Sequence, residues 1–125
     1  MLAPMLEWHL AHVRVLVVNV PRLLHDVMSG IMAGDSEIEI VSEVSAKNML
    51  NAIVALDPDV VVFGGETDDA AAELERIGAN YPMPRVVAVD ADGGAATIYE
   101  SGKAARRVTD ISPRMMLNLI RGSAG

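Results

Sequence analysis

The sequence predicts an α/β fold: a doubly wound, parallel, five-stranded sheet covered by helices in three layers. Three observations carry that prediction. Short β-branched runs recur at Val13–Val18, Val60–Phe63 and Val86–Val89, the signature of strands buried on both faces. The stretches between them place apolar residues at helical spacing. Strand and helix alternate, which is the pattern of a parallel sheet with right-handed crossovers. The 125 residues suffice for one such domain and are too few for two.

Each element has its own signal. Pro21 opens the first helix, whose apolar stripe is Leu23, Leu24, Val27, Met28, Ile31 and Met32, with Gly34 as its stop. Glu37 to Val44 is a second strand, and its polar share predicts a sheet edge. Ser45 caps a second helix facing the core with Ala46, Met49, Leu50, Ile53 and Val54, and Asp57-Pro58-Asp59 ends it. A third, central strand runs from Val60 to Gly64-Gly65. Thr67 caps a third helix with Ala71, Leu74 and Ile77 on one face, and Asp68 and Asp69 suit its N-terminal dipole. Val86 to Val89 is the fourth strand. Residues 95–101 (AATIYES) stand where a fourth helix is due, yet Thr97, Ile98 and Tyr99 prefer strands. Asp92-Gly93-Gly94 allows a hairpin turn, so a weak or irregular helix and an antiparallel excursion both remain open. Arg106 to Thr109 forms the last strand, and Ser112-Pro113 starts a final helix with Met115, Met116, Leu119 and Ile120.

Composition excludes several classes. Apolar residues make up 51%, enough to fill a core. No apolar run approaches the roughly 20 residues of a membrane-spanning helix. There is no cysteine, hence no disulfide and no thiol nucleophile. Ten basic against 17 acidic residues give a net charge of -7, which opposes direct binding to nucleic acid. Residues 1–12 read as an added N-terminal arm, residues 13–122 as the domain, and residues 123–125 as a tail or the start of a linker.

The order Val13-Arg14-Val15-Leu16-Val17-Val18, Pro21-Arg22-Leu23-Leu24, Glu39-Ile40-Val41-Ser42-Glu43-Val44, Asp57-Pro58-Asp59-Val60-Val61-Val62 and Asp110-Ile111-Ser112-Pro113 resembles a response-regulator receiver domain, of flavodoxin-like, CheY-like fold. The resemblance runs from about Val13 to Arg121. It implies the regulatory part of a cytoplasmic two-component response regulator. It also implies a set of phosphorylation residues at the strand ends, and there the sequence departs from it. Where receivers carry the acidic pair that binds magnesium, this chain has Asn19 and Val20. Gly64 stands for the phosphoacceptor aspartate, Asp90 for the hydroxyl residue, Thr109 for the lysine and Arg106 for the switch aromatic.

The expectation is a pseudo-receiver: no enzyme, no metal, no cofactor, and signalling through protein contact or homodimerisation without phosphate. By the resemblance, its contact face combines the fourth helix, fifth strand and last helix through Tyr99, Arg106, Arg107, Arg114, Asn118 and Arg121. The alternative is a small-molecule-binding domain using the strand-end crevice near Asn19, Gly64, Gly65 and Asp90. A salt bridge between Asp90 and Arg106 would turn a moving switch into a fixed link; the other reading is two unrelated surface charges. Gly64-Gly65-Glu66-Thr67 reads as a tight turn, since acidic neighbours and the missing phosphate-loop spacing argue against an anion site. Glu7, His9 and His12 read as solvated arm residues, and His25 as an exposed neighbour of Asp26.

Overall fold

The computed structural model describes residues 13–33, 37–64, 76, 84–90, 94–100 and 103–121. The predicted arm and its Glu7, His9 and His12 lie outside the described residues, as do residues 65–75 and 77–83, where the helix after Thr67 is expected, and the tail. The elements are β1 (Val13–Val18), α1 (Arg22–Ala33), β2 (Ile38–Val44), a 3-10 turn (Ala46–Asn48), α2 (Met49–Leu56), β3 (Val60–Gly64), β4 (Arg85–Val89), β5 (Ala95–Tyr99), β6 (Arg106–Thr109) and α3 (Pro113–Arg121).

The α/β class holds, with one mixed sheet of six strands in the order β2-β1-β3-β4-β5-β6. The first four strands pair in parallel, with a register shift between Val15 and Leu16 opposite β2. β5 pairs antiparallel with both β4 and β6. This corrects the expected five-stranded, all-parallel sheet, and it replaces the expected fourth helix by a strand. The reason is local. Ala96 and Ile98 turn to one face of the sheet while Thr97 and Tyr99 turn to the other, so the segment is buried in a period of two.

The core has two layers, one on each face. Val15, Val17, Val60, Val62, Val87, Val89, Ala96 and Ile98 meet Met28 and Met32 of α1 and Met116 and Ile120 of α3. Leu16, Val18, Val61, Phe63, Val86 and Ala88 meet Met49, Ala52 and Ile53 of α2. Alternate residues of one apolar run thus feed opposite layers, which is why β1 and β3 carry no polar face. Three residues expected at the core are instead turned outward: Val27 is 52% exposed, Val54 59% and Met115 37%. Each lies beside the narrower stripe that faces the sheet, Met28–Met32, Met49–Ala52–Ile53 and Met116–Ile120 respectively.

Caps follow the predicted chemistry with small shifts. Pro21 sits just before α1, and its carbonyl accepts the His25 N–H at 2.8 Å. Ser112 Oγ accepts the Met115 N–H at 3.2 Å, a side-chain N-cap. Ser45 precedes the 3-10 turn without capping it by its side chain. Asp57 ends α2 in the left-handed region (φ 47°), its N–H on the Ile53 carbonyl at 2.9 Å.

Candidate functional site

The C-terminal ends of β1, β3, β4 and β6 all lie at one end of the sheet, here the upper end, because β6 runs in the same direction as β4. This end therefore gathers Asn19, Val20, Gly64, Asp90 and Thr109. Asn19 adopts φ 55°, a conformation that asparagine tolerates better than most residues. Its N–H reaches the Val44 carbonyl at 2.9 Å, and its side-chain Nδ2 donates to the Gly64 carbonyl at 3.2 Å. The tip of β1 is thereby fastened to the ends of both neighbouring strands.

Gly64 is buried under that tip. A Cβ on it would stand 2.7 Å from Val20 Cα, 2.8 Å from the Asn19 carbonyl oxygen and 3.1 Å from Pro21 Cδ. The first two are backbone atoms, which cannot swing aside as a side-chain end can. The turn after β1 thus fills the space that any side chain at position 64 would need, and Val20 packs against the core. Magnesium does not fit here: Asn19 and Val20 bring no carboxylate. Among the described residues no group of three or more histidine, aspartate or glutamate side chains is arranged to hold a metal.

At the end of β4, Asp90 Oδ2 accepts from Arg107 Nη2 at 2.7 Å, and Arg107 Nη1 lies 3.4 Å from Thr97 Oγ1. The expected partner Arg106 is thus corrected to Arg107. The reason is strand parity: Thr97 pairs with Arg107 and Ile98 with Arg106, so Arg107 shares a face with Asp90 while Arg106 turns to the other. The link spans three strands, because β5 intervenes. Thr109 ends β6 exposed, opposite Ala95 and one strand spacing, about 4.8 Å, farther from β4 than a direct neighbour would be.

His25 is not an exposed bystander. Its Nε2 meets Glu43 Oε2 at 2.9 Å and Ser29 Oγ at 3.3 Å, while Nδ1 lies 3.7 Å from Asp26. Serine and carboxylate share one ring nitrogen, so the three groups form no relay that would activate Ser29. Beside them, an open cleft of ≈ 550 Å³ is lined by Val17, Asn19, Val20, Pro21, Glu43, Val44 and Ser45. It lies over β1 and β2, not at Gly64 and Asp90.

The six residues of the expected contact face do not share a surface. Tyr99 and Arg107 lie on the α2 side of the sheet; Arg106 faces the α3 side, where Arg114, Asn118 and Arg121 sit on the last helix. The sheet itself divides them, because neighbouring residues of β6 turn to opposite faces. At the opposite, lower end of the sheet a cluster escaped the sequence reading. Arg85 Nη2 contacts Glu100 Oε2 at 3.2 Å, and Nη1 donates to the Leu119 carbonyl near the end of α3 at 3.2 Å. Lys103 Nζ is 3.7 Å from the same carboxylate. Partial burial pushes the Glu100 carboxyl up, but Arg85, Lys103 and Arg106 together hold it below the ordinary glutamate value. The signal was available in the hairpin option, since strands paired with Val86 opposite Tyr99 set Arg85 opposite Glu100.

Comparison with protein-family models and with curated proteins finds no match for the chain.

Proposed function

We propose that this chain is a receiver-like signalling module, of flavodoxin-like ancestry, that works by protein contact without phosphorylation or catalysis. The observation that carries the reading is the closed strand end: backbone of the turn after β1 occupies the space around Gly64 where a phosphoacceptor side chain would stand. Two further features support it. The parallel order β2-β1-β3-β4 with α1 and α2 on opposite faces agrees with the resemblance. The Asp90–Arg107 bond engages the residue that stands for the switch hydroxyl in a fixed link to β6. In this reading the module regulates in the cytoplasm, as the resemblance implies, and the β5–β6 ribbon replaces the surface that a fourth helix would supply.

The test is incubation with acetyl phosphate and magnesium, and separately with beryllofluoride. Unchanged mass and unchanged amide spectra are expected, since Asn19, Val20, Gly64 and Thr109 bring no carboxylate to hold magnesium or to accept a phosphoryl group. A stable acyl phosphate on any aspartate overturns the reading.

A second reading, small-molecule binding, is favoured by the open cleft beside Asn19, Glu43 and Ser45. A ligand held there raises the melting temperature in a thermal-shift screen, because it binds only the folded state.

A further inference from the structure

The register of β2 turns one carboxylate against the strand's own alternation. Val15 pairs with Ile40, but Leu16 pairs with Ser42, so Val41 is skipped and the parity reverses. Without that shift Glu43 would stand opposite Val18 and turn, as Val18 does, to the α2 side. With it, Glu43 stands opposite Val17 on the α1 side, where its Oε2 meets His25 Nε2 at 2.9 Å. Such an irregularity is uncommon in a parallel pair, and here it re-aims Glu43 into the open cleft over the upper ends of β1 and β2. His25 holds the carboxylate by one oxygen, yet the Glu43 side chain stays 57% exposed, and among the described residues its Oε1 has no partner. The backbone of both cleft walls is described without a gap, the turn after β1 within residues 13–33 and the end of β2 within residues 37–64. The nearest undescribed stretch leaves the sheet from β3, on the far side of β1 from β2.

The groups around the cleft select a class of ligand. Glu43 only accepts hydrogen bonds, and the Asn19 amide spends its Nδ2 on the Gly64 carbonyl and keeps its oxygen, a second acceptor. Their complement is a donor. A cation is disfavoured, because exposed Arg22 follows Pro21, exposed Lys47 lies just after Ser45, and the positive end of α1 stands at the same place. The Glu43 charge is already shared with His25, and the other carboxylate nearby, Asp26, lies 3.7 Å from His25 Nδ1. Hydroxyl groups are neutral donors, and one carboxylate receives two of them from a vicinal diol. Val17, Val20, Pro21 and Val44 supply the apolar lining, which suits a flat ring better than a free sugar, and ≈ 550 Å³ is ample for both parts. An acid at the end of the second strand of a strand-helix-strand unit is also where open α/β sheets hold a ribose. The turn Asn19-Val20-Pro21 carries no glycine, so it does not admit the close pyrophosphate approach that a dinucleotide needs. We infer that the cleft takes the ribose of a ribonucleoside or of its 5′-phosphate, whose 2′- and 3′-hydroxyls donate to Glu43; this rests on the small-molecule reading given above and names its ligand.

The experiment follows the amide spectrum of the full chain as adenosine, guanosine, cytidine and uridine, and then their 5′-monophosphates, are added in turn. At least one of them is expected to shift the amides of Val17, Asn19, Val20, Glu43 and Ser45 while those of Ala95 and Thr109 stay in place. That compound is expected to bind at least about tenfold more tightly than its 2′-deoxy counterpart, which lacks one hydrogen bond to a charged acceptor. The nucleoside and monophosphate arms separate the two sources, since a phosphate that adds affinity assigns the nucleotide and one that adds none assigns the nucleoside. Glu43→Gln is expected to weaken binding by about tenfold or more, and Asp26→Asn to leave it unchanged, with thermal melts checking that both are folded. The 2′-deoxy comparison uses the wild type, so it decides even where Glu43→Gln does not fold. Silence across these compounds, equal affinity for the 2′-deoxy form, undiminished binding by folded Glu43→Gln, or shifts confined to the Gly64 and Asp90 end overturns the inference. A different ligand from the thermal-shift screen that moves the same amides would remove the ribose and keep the cleft. No response in either experiment would remove the small-molecule reading as well.

Discussion

Strands β1 to β4 and the ribbon of β5 and β6 belong to one sheet but are held by different interactions. In the parallel part, Val15–Val18, Val60–Gly64 and Val86–Val89 are all buried, and helices press on both faces. Stabilisation there comes from apolar area removed from water and from close packing. In the ribbon, β6 is exposed at three of its four residues, and polar bonds do more of the joining: Arg107 to Asp90 and Thr97, Arg85 to Glu100 and Leu119. A short, charged edge strand of this kind also resists pairing with another sheet edge. The contrast teaches where the fold tolerates change. A substitution that adds volume in the parallel part meets backbone; one that removes charge in the ribbon meets water.

The largest expected effect follows from Gly64. Gly64→Ala should lower stability by about 1–3 kcal/mol, because the added methyl presses on Val20 and Asn19 backbone. Gly64→Asp should cost more than Gly64→Ala, since it also places an unpaired carboxylate in a buried position, and it should remain unreactive to phosphodonors. Urea denaturation of the two variants beside wild type decides this. Wild-type stability in Gly64→Ala would mean that the turn after β1 is not fixed by packing.

A smaller and more local effect is expected from Arg107→Met, which keeps much of the side-chain length but loses the bonds to Asp90 and Thr97. Arg107 is half exposed, so the loss should be about 0.2–1 kcal/mol, the range of partly solvated ion pairs. Amide hydrogen exchange sharpens the comparison. Protection should fall in β5 and β6 while β1 and β3 keep theirs. Equal loss across all six strands would show that the ribbon and the parallel part open as one unit.

The same contrast explains what could be read from the sequence. The parallel strands were legible because a run such as Val60-Val61-Val62-Phe63 has only one comfortable place, a strand buried on both faces. The edge position of β2 was legible from Glu39 and Glu43, and the start of α3 from Ser112-Pro113. The ribbon was ambiguous because Ala95-Ala96 suits either state, and only Thr97-Ile98-Tyr99 and the glycines before them pointed to a hairpin. That one choice decided part of the site geometry. Placing Arg85 beside Glu100 follows from inserting β5, while pairing Arg107 instead of Arg106 with Asp90 and dividing the expected contact face follow from the alternation of neighbouring residues in β6. The closure over Gly64 could not be read at all, because it depends on how closely two segments 45 residues apart approach, a distance no local pattern encodes.

The smallest effect concerns acid. Glu100 ends β5 with Arg85, Lys103 and Arg106 around it, and despite partial burial its carboxyl is held below the ordinary glutamate value. A carboxyl whose folded pKa is depressed binds its proton more readily in the unfolded chain. Its ionised form therefore contributes stability above the unfolded glutamate value, about pH 4.3, and that contribution is lost as pH falls through the lower folded value. Glu100→Gln keeps the size of the side chain and removes the titration. Wild type should thus be the more stable of the two at neutral pH, and the gap should close as urea midpoints are followed down from about pH 7 to pH 2. Arg85 also donates to the Leu119 carbonyl, a bond the substitution does not touch, so the end of α3 should stay anchored and the pH-dependent part should isolate the carboxylate. A gap that is constant with pH would assign the difference to packing of the side chain. A gap that closes while amide protection in β1 and β3 is unchanged would locate the effect in the ribbon, where charge, unlike in the parallel strands, helps to hold the sheet together.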